Sequence, residues 1–255
     1  MSKAHYITGL RAVEQALATE SSDVRRIYAE YQTANPRVEA IIRIAQQAGI
    51  EIQPANRARL AQMSGEERHQ GVVAEVQRRT ALDEAGLRTL VEQRLQTPGG
   101  KPLLLLVLDG VQDPHNLGAC LRTADAAGVD AVIAPRHAAA RLSPTVSKVA
   151  AGAAEQLPFA TVGNLNRVLG WLADYGVRLI GTSDKADSSL FEAELTGHLA
   201  LVMGKEHTGL SQAIASRCDA LVSLPMAGVV SSLNVSVATG VCLYEIARQR
   251  ALHLT

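Results

Sequence analysis

Between residues 9 and 78 the apolar positions switch repeatedly between helical and extended spacing. Leu10, Val13 and Leu17 fall at helical intervals and predict a helix over Gly9 to Ala18. Val24 to Ala29 reads as a strand. Val38, Ile41, Ile42 and Ala45 share one face of a predicted helix from Pro36 to Ala48, with Pro36 in its first turn and Gly49 as its stop. Ile50 to Ile52 reads as a short strand, Asn56 as the cap of a short helix through Met63, and Gly71 to Val76 as another strand. The expectation is a small α/β unit ending near Arg78. Residues 79–100 are polar, close on Pro98-Gly99-Gly100, and carry a weak helical pattern around Leu87 to Leu95. They read as a linker.

From Lys101 the pattern changes. Leu103 to Asp109 is a continuous apolar run that ends on an acid, as in a strand covered on both faces. Helices are predicted over Leu117 to Ala127, Val146 to Ala154, Leu165 to Tyr175, Gln212 to Ser216 and Leu233 to Arg250. Strands are predicted at Ala131 to Ile133, Val177 to Ile180, Leu199 to Met203 and Leu221 to Leu224. Such alternation predicts an α/β fold with a mostly parallel sheet and helices on both faces.

Charge and composition then narrow the function. Lys+Arg and Asp+Glu are both 25, which excludes a globally basic nucleic-acid binder but not a local basic surface. Aromatics are 3%, so the core is aliphatic and a row of base-stacking rings is not expected. The cysteines Cys120, Cys218 and Cys242 are far apart and odd in number, which argues against a disulfide framework or a Cys-rich metal site. The start MSKAHYITGL lacks the apolar core of a signal peptide, and Leu103 to Leu108 is too short to cross a bilayer. A cytoplasmic protein is expected, with no membrane span and no metal.

Common cofactor motifs are missing. The loop Asp109-Gly110-Val111-Gln112-Asp113-Pro114 is not a dinucleotide-binding glycine turn. Gly204-Lys205-Glu206-His207-Thr208-Gly209 has the glycine spacing of a phosphate loop, but Leu210-Ser211 follows where Lys-Ser/Thr is required. What remains is polar residues at strand ends, where ligands bind in open α/β sheets. Asn116-Leu-Gly-Ala-Cys-Leu-Arg122 follows the first buried strand. Gly204 to Gly209 follows LALVM, and Pro225-Met-Ala-Gly-Val-Val-Ser-Ser-Leu-Asn234 follows ALVSL.

In their order and spacing these segments resemble the three motifs of the SpoU–TrmH family, RNA ribose 2′-O-methyltransferases of the SPOUT class. The pattern is N-x-G-x-x-x-R, G-x-E-x-x-G and P-M-x-G-x-x-x-S-L-N-x-S-x-A, and every element of it is present across residues 109–245. LDGVQDPHNLGACLRTADAAGV and SSLNVSVATGVCLYEIARQR are most similar to the branch that methylates a guanosine in the peptidyl-transferase loop of 23S rRNA. The resemblance implies an L30-like substrate-binding domain over 1–78, the linker, and a SPOUT domain over 101–255 with a deep trefoil knot. It implies S-adenosylmethionine as cofactor, held by Thr182, Gly204, Leu224, Met226 and Leu233. It implies Asn116, Arg122, Glu206, Ser232 and Asn234 as the catalytic set, and pairing into a homodimer through the knot and last helix.

From the residues alone, Asn116 and Asn234 also read as helix caps. A transfer-RNA methyltransferase and a non-catalytic RNA-binding homologue are the rival readings. Between Asp130 and Glu155 there is no acid, while Arg136, His137, Arg141 and Lys148 form a local basic stretch. Arg11, Arg25, Arg26, Arg57 and Arg59 add cations in the first unit, and 20 of the 25 basic residues are arginine, which suits two-pronged phosphate contacts.

Overall fold

The run Leu103 to Leu108 alternates strictly between two cores in the computed structural model. Leu104, Leu106 and Leu108 enter one apolar cluster and Leu103, Leu105 and Val107 the other. A strand buried on both faces must be central in its sheet and covered by helices above and below. The structure describes residues 5–20, 24–30, 35–65, 67–76, 81–137, 139–205 and 208–252, in two units divided at Thr80.

The first unit has strands β1 (His5–Thr8), β2 (Val24–Glu30), β3 (Glu51–Ala55) and β4 (Val72–Val76), in the order β1-β4-β2-β3. β4 runs antiparallel to β1 and β2, while β2 and β3 are parallel. Ile27 and Ala29 of β2 face helices α1 (Leu10–Glu20) and α2 (Pro36–Gln47) on one side. Tyr28 faces Leu60 of α3 (Arg57–Ser64) on the other. The expected signals of this unit hold: Asn56 accepts from the Arg59 backbone N–H, Pro36 opens α2 and Gly49 follows its end with a φ of 71°; Asn35, not singled out before, caps α2 by accepting from Arg37 N–H.

The second unit holds a seven-stranded sheet with every pair parallel, in the order β7-β6-β5-β10-β8-β11-β9. Its strands are β5 (Leu104–Leu108), β6 (Ala131–Pro135), β7 (Phe159–Val162), β8 (Arg178–Thr182), β9 (Ser188–Ser189), β10 (Leu199–Met203) and β11 (Ala220–Ser223). Its helices are α4 (Glu84–Gln96), α5 (Pro114–Ala126), α6 (Pro144–Ala150), α7 (Ala153–Gln156), α8 (Leu165–Asp174), α9 (Gln212–Ala215) and α10 (Val235–Leu252). Helices α5, α6, α7 and α10 cover one face, and α4, α8 and α9 the other. At the far end of α10, Arg250 donates to the carbonyls of Pro102, Leu103 and Gly197 at 2.7–3.0 Å, tying that helix to the amino ends of β5 and β10. No helix among the described residues is long and apolar enough to cross a membrane.

Several expectations are corrected. Strands β1, β7 and β9 are additional; with two to four residues each, they are too short for a period to register. The helix expected over Val146 to Ala154 breaks, because Ala151 and Gly152 take left-handed φ of 52° and 99°. The stretch 79–100 is not a linker from Ala81 onward. Asp83 caps α4 by accepting from Gly86 N–H, and Leu87 and Val91 are fully buried against the second core. Arg88 lies 5.0 Å from the Trp171 ring centre, and Arg167 pairs with Glu84. Residues 77–80 lie outside the described residues.

Because Leu87 is core and not linker, Leu87→Ala should destabilise the second unit by about 2–5 kcal/mol. Urea denaturation followed through Trp171 checks this; an unchanged midpoint would return the segment to the role of a tether.

Candidate functional site

All strands of the second sheet end on the same edge, and three loops leave the middle of the sheet there. Residues 109–113 follow β5, 204–211 follow β10 and 224–234 follow β11. β8 lies between β10 and β11 and ends on Thr182. With strands about 4.8 Å apart, β5 and β11 are separated by three steps, on the order of 15 Å.

At the first loop Asp113, not Asn116, caps α5. Its side chain accepts from His115 N–H at 3.1 Å, and Pro114 takes the first helical position. Asn116 therefore stands within the first turn, and its side chain reaches another element. Asn234 Nδ2 donates to Asn116 Oδ1 at 3.0 Å. The direction of that bond is fixed by chemistry. Asn234 Oδ1 already accepts from Ser236 N–H at 2.9 Å and Ser236 Oγ at 2.6 Å, so the amide nitrogen faces Asn116. The carbonyl of Asn234 accepts the first helical bond of α10, from Ala238 at 2.9 Å. Asn234 is thus both the cap of the last helix and the link to α5. Ser236, which sequence reading did not single out, sets its orientation; the signal was its place two residues past the asparagine.

The glycine between Asn116 and Arg122 has its own reason. A Cβ on Gly118 would lie 2.7 Å from Val149 Cβ and 2.9 Å from the Val146 carbonyl, so α6 crosses α5 at that point. Arg122 is six residues beyond Asn116, about 9 Å along the helix axis and on a different face. It is exposed and has no hydrogen-bond or ion-pair partner among the described residues. The fold therefore joins Asn116 to Asn234 but does not bring Arg122 to either. Ser232 is exposed in the loop before α10. Glu206 and its neighbour His207 lie outside the described residues.

Gly204 is buried where the second loop closes on itself. Lys205 and Gly209 exchange two backbone hydrogen bonds, at 3.0 and 3.1 Å, and a Cβ on Gly204 would sit 2.3 Å from the Gly209 carbonyl carbon. No other residue type fits without opening that loop. Beside it Thr182 Oγ1 donates to the Val202 carbonyl at 3.4 Å. Leu224 packs half-buried on the first core, Met226 is half-buried, and Leu233 is 37% exposed. These residues leave an apolar surface beside strand-end peptide groups.

Other chemistry is weak here. Burial pushes the thiols of Cys218 and Cys242 up to about 12, the former helped by Asp219, so neither serves as a nucleophile at neutral pH. Among the described residues no group of three or more His, Cys, Asp and Glu could hold a metal ion. In the first unit Arg26 is committed to Glu51 at 2.6 Å and so is not available as expected, whereas Arg11, Arg25, Arg57 and Arg59 are exposed. On the last helix, Val237 and Tyr244 are exposed, Val241 is half-buried, and Ile246 is core.

Family comparison bears on this edge directly. The model of the SpoU rRNA methylase family matches residues 103–244, which contain all three loops. The chain belongs to the SpoU rRNA methylase family. The RNA 2′-O ribose methyltransferase substrate-binding model matches residues 6–81 of the same SpoU methylase. A relative from Ralstonia nicotianae, named 23S rRNA (guanosine-2′-O-)-methyltransferase RlmB, is 47% identical over 99% of this chain and 98% of its own length. One of the same name from Coxiella burnetii is 44% identical over 98% of both. Among solved structures, the SpoU methyltransferase AviRb from Streptomyces viridochromogenes in complex with the cofactor AdoMet has a TM-score of 0.75 and 27% identity. That likeness covers 98% of this chain and 91% of AviRb.

The joint between Asn116 and Asn234 makes a quantitative expectation for this SpoU methylase. Asn234→Ala removes a cap and should cost about 1–2 kcal/mol of stability. Asn116→Ala should cost less, and a double-mutant cycle should give a coupling of about 0.5–1.5 kcal/mol. Chemical denaturation of the four proteins measures it; additive losses would mean that the bond contributes nothing.

Proposed function

We propose that this chain transfers the methyl group of S-adenosylmethionine to the 2′-hydroxyl of a guanosine in the peptidyl-transferase loop of 23S rRNA. The observation that carries the reading is the meeting of the three family motifs at one sheet edge, with Asn116 hydrogen-bonded to Asn234. Relatives named for that reaction, at 44–47% identity over nearly the full length, support the substrate.

The residues present fit the cofactor. Gly204 lets the loop after β10 close tightly at the strand end, and Leu224, Met226 and Leu233 offer an apolar wall of the kind a purine ring fills. Thr182 closes the cradle from β8. When bound, the cofactor supplies a sulfonium-activated methyl group. The chain must then bring the 2′-oxygen into line and relieve it of its proton. Asn116, held by Asn234, is a rigid amide at the edge of the site and orients the ribose. Arg122, exposed and without a partner among the described residues, grips a substrate phosphate and stabilises charge as it develops. Ser232 and Glu206 complete the polar set.

The finer architecture assigned to the catalytic unit is a deep trefoil knot. Its support is that Thr182 and Ser188 both lie level with Val222, on opposite sides of β11. The segment 183–187 therefore crosses over β11. The first unit is assigned as an L30-like RNA-binding domain. The molecule works in the cytoplasm as a homodimer. Val229, Val230, Val237 and Tyr244, all more than half exposed, form an apolar surface on and before α10 that a second copy covers.

Tritiated methyl transfer from S-adenosylmethionine to 23S rRNA and to transfer RNA tests the reading; labelling of transfer RNA alone would replace it with the rival. Arg122→Ala should lower the single-turnover rate by about two orders of magnitude or more while leaving cofactor affinity by calorimetry near that of the native chain. A near-native rate would remove Arg122 from the site. Sedimentation at micromolar concentration should give a dimer.

A further inference from the structure

We infer that the loop after β6 and, across from it, Lys205 just beyond β10 are two basic arms that hold the phosphate backbone of the RNA on either side of the target ribose. The inference rests on the methyl-transfer reading above and names the residues that position the substrate strand.

Sheet order sets the arms in place. β5 lies between β6 and β10, so their loops flank the first motif loop, with about 10 Å between the outer two strands. Both arms are fastened to that central loop. Ala140 N–H donates to the Val111 carbonyl at 2.8 Å, which holds the loop after β6. On the other side the Lys205 side chain lies across Gly110. A Cβ there would meet Lys205 Cε at 2.6 Å and Cγ at 3.1 Å, and Gly110 has a left-handed φ of 83°. The backbone of Lys205 is itself pinned by the pair of hydrogen bonds with Gly209. Its ammonium is thereby carried along the central loop and not left to wander in solvent.

The first arm carries cations without acids, whereas Glu206 follows Lys205 on the second and Asp109 and Asp113 stand on the central loop. Arg136, His137 and Arg141 are exposed on the first arm, and no Asp or Glu occurs between Asp130 and Glu155. Arg136, Arg141 and Lys205 have no ion-pair or hydrogen-bond partner for their side chains among the described residues. Arg26, Arg94, Arg167 and Arg248 each hold a carboxylate. In a chain with 25 basic and 25 acidic residues, cations left unpaired among the described residues on two sides of one loop form a directional surface. Guanidinium forks match phosphate oxygens, and the low aromatic content favours backbone over base contacts.

The test uses the full chain and an RNA fragment containing the peptidyl-transferase loop, with single-turnover methylation measured across RNA concentrations at 50–200 mM KCl. Arg136→Ala with Arg141→Ala should raise the half-saturating RNA concentration by about tenfold or more. The saturating rate and the cofactor affinity should hold. The salt slope should fall by about 0.7 for each lost contact, and Lys205→Ala should act in the same sense. Arg136→Lys with Arg141→Lys should restore most of the salt slope. Native half-saturation and native slope in the alanine variants, while the native enzyme methylates, would overturn the inference and leave the methyl-transfer reading standing. A fall in saturating rate at unchanged half-saturation would also overturn it, by placing these residues in the chemical step. A native chain that methylates no RNA would sink the underlying reading, and this inference with it.

Discussion

The parallel pairing of Leu104–Leu108 with Leu199–Met203 leaves every side chain of both strands without water. A pair of strands buried on both faces offers no polar surface along its length, so polar chemistry has to collect where the strands stop. Asp109 N–H still donates to the Met203 carbonyl at 2.8 Å, and beyond that bond the two chains part into separate loops. The site begins at that parting. The helices that cover the pair carry the candidate groups: α5 holds Asn116 and Arg122, and Asn234 stands at the start of α10.

What turns an edge into a site is that the loops constrain one another. One end of the Asn116–Asn234 bond is set by the Ser236 contacts and the other by the Asp113 cap. Gly118 lets α6 seat against α5, and Gly204 lets the second loop close without a side chain. Each glycine is required by a close backbone or side-chain approach. Groups so placed need little reorganisation when a substrate arrives, which is where much catalytic benefit lies.

The sequence made much of this legible, for identifiable reasons. The six-residue apolar run at Leu103 and the one-sided helix at Val38 carry strong periodicity, and both are where they were expected. The motif residues were legible as a set through their order and spacing. Asn116 was misread as a cap because Asn is common there; Asp113-Pro114 just ahead was the better signal. α4 was missed as a core element because Leu87 and Val91 are its only fully buried side chains in a polar helix. The Asn116–Asn234 bond spans 118 residues, and the contact of Lys205 with Gly110 is equally non-local, so no local pattern could announce either. Glu206 was named from its motif alone and lies outside the described residues.

The position of β11 between β8 and β9 has a bearing on how the protein is made. β8 and β9 are early in the chain relative to β11, yet they hydrogen-bond to its two sides. A nascent chain can lay down β5 to β10 and still lack the strand that fills this gap, the loop that ends in Asn234, and the helix that covers α5. Pairings of such sequence separation form late and slowly. The order of assembly thus acts as a timer: the edge cannot be completed until the last fifth or so of the chain has been translated and drawn into place.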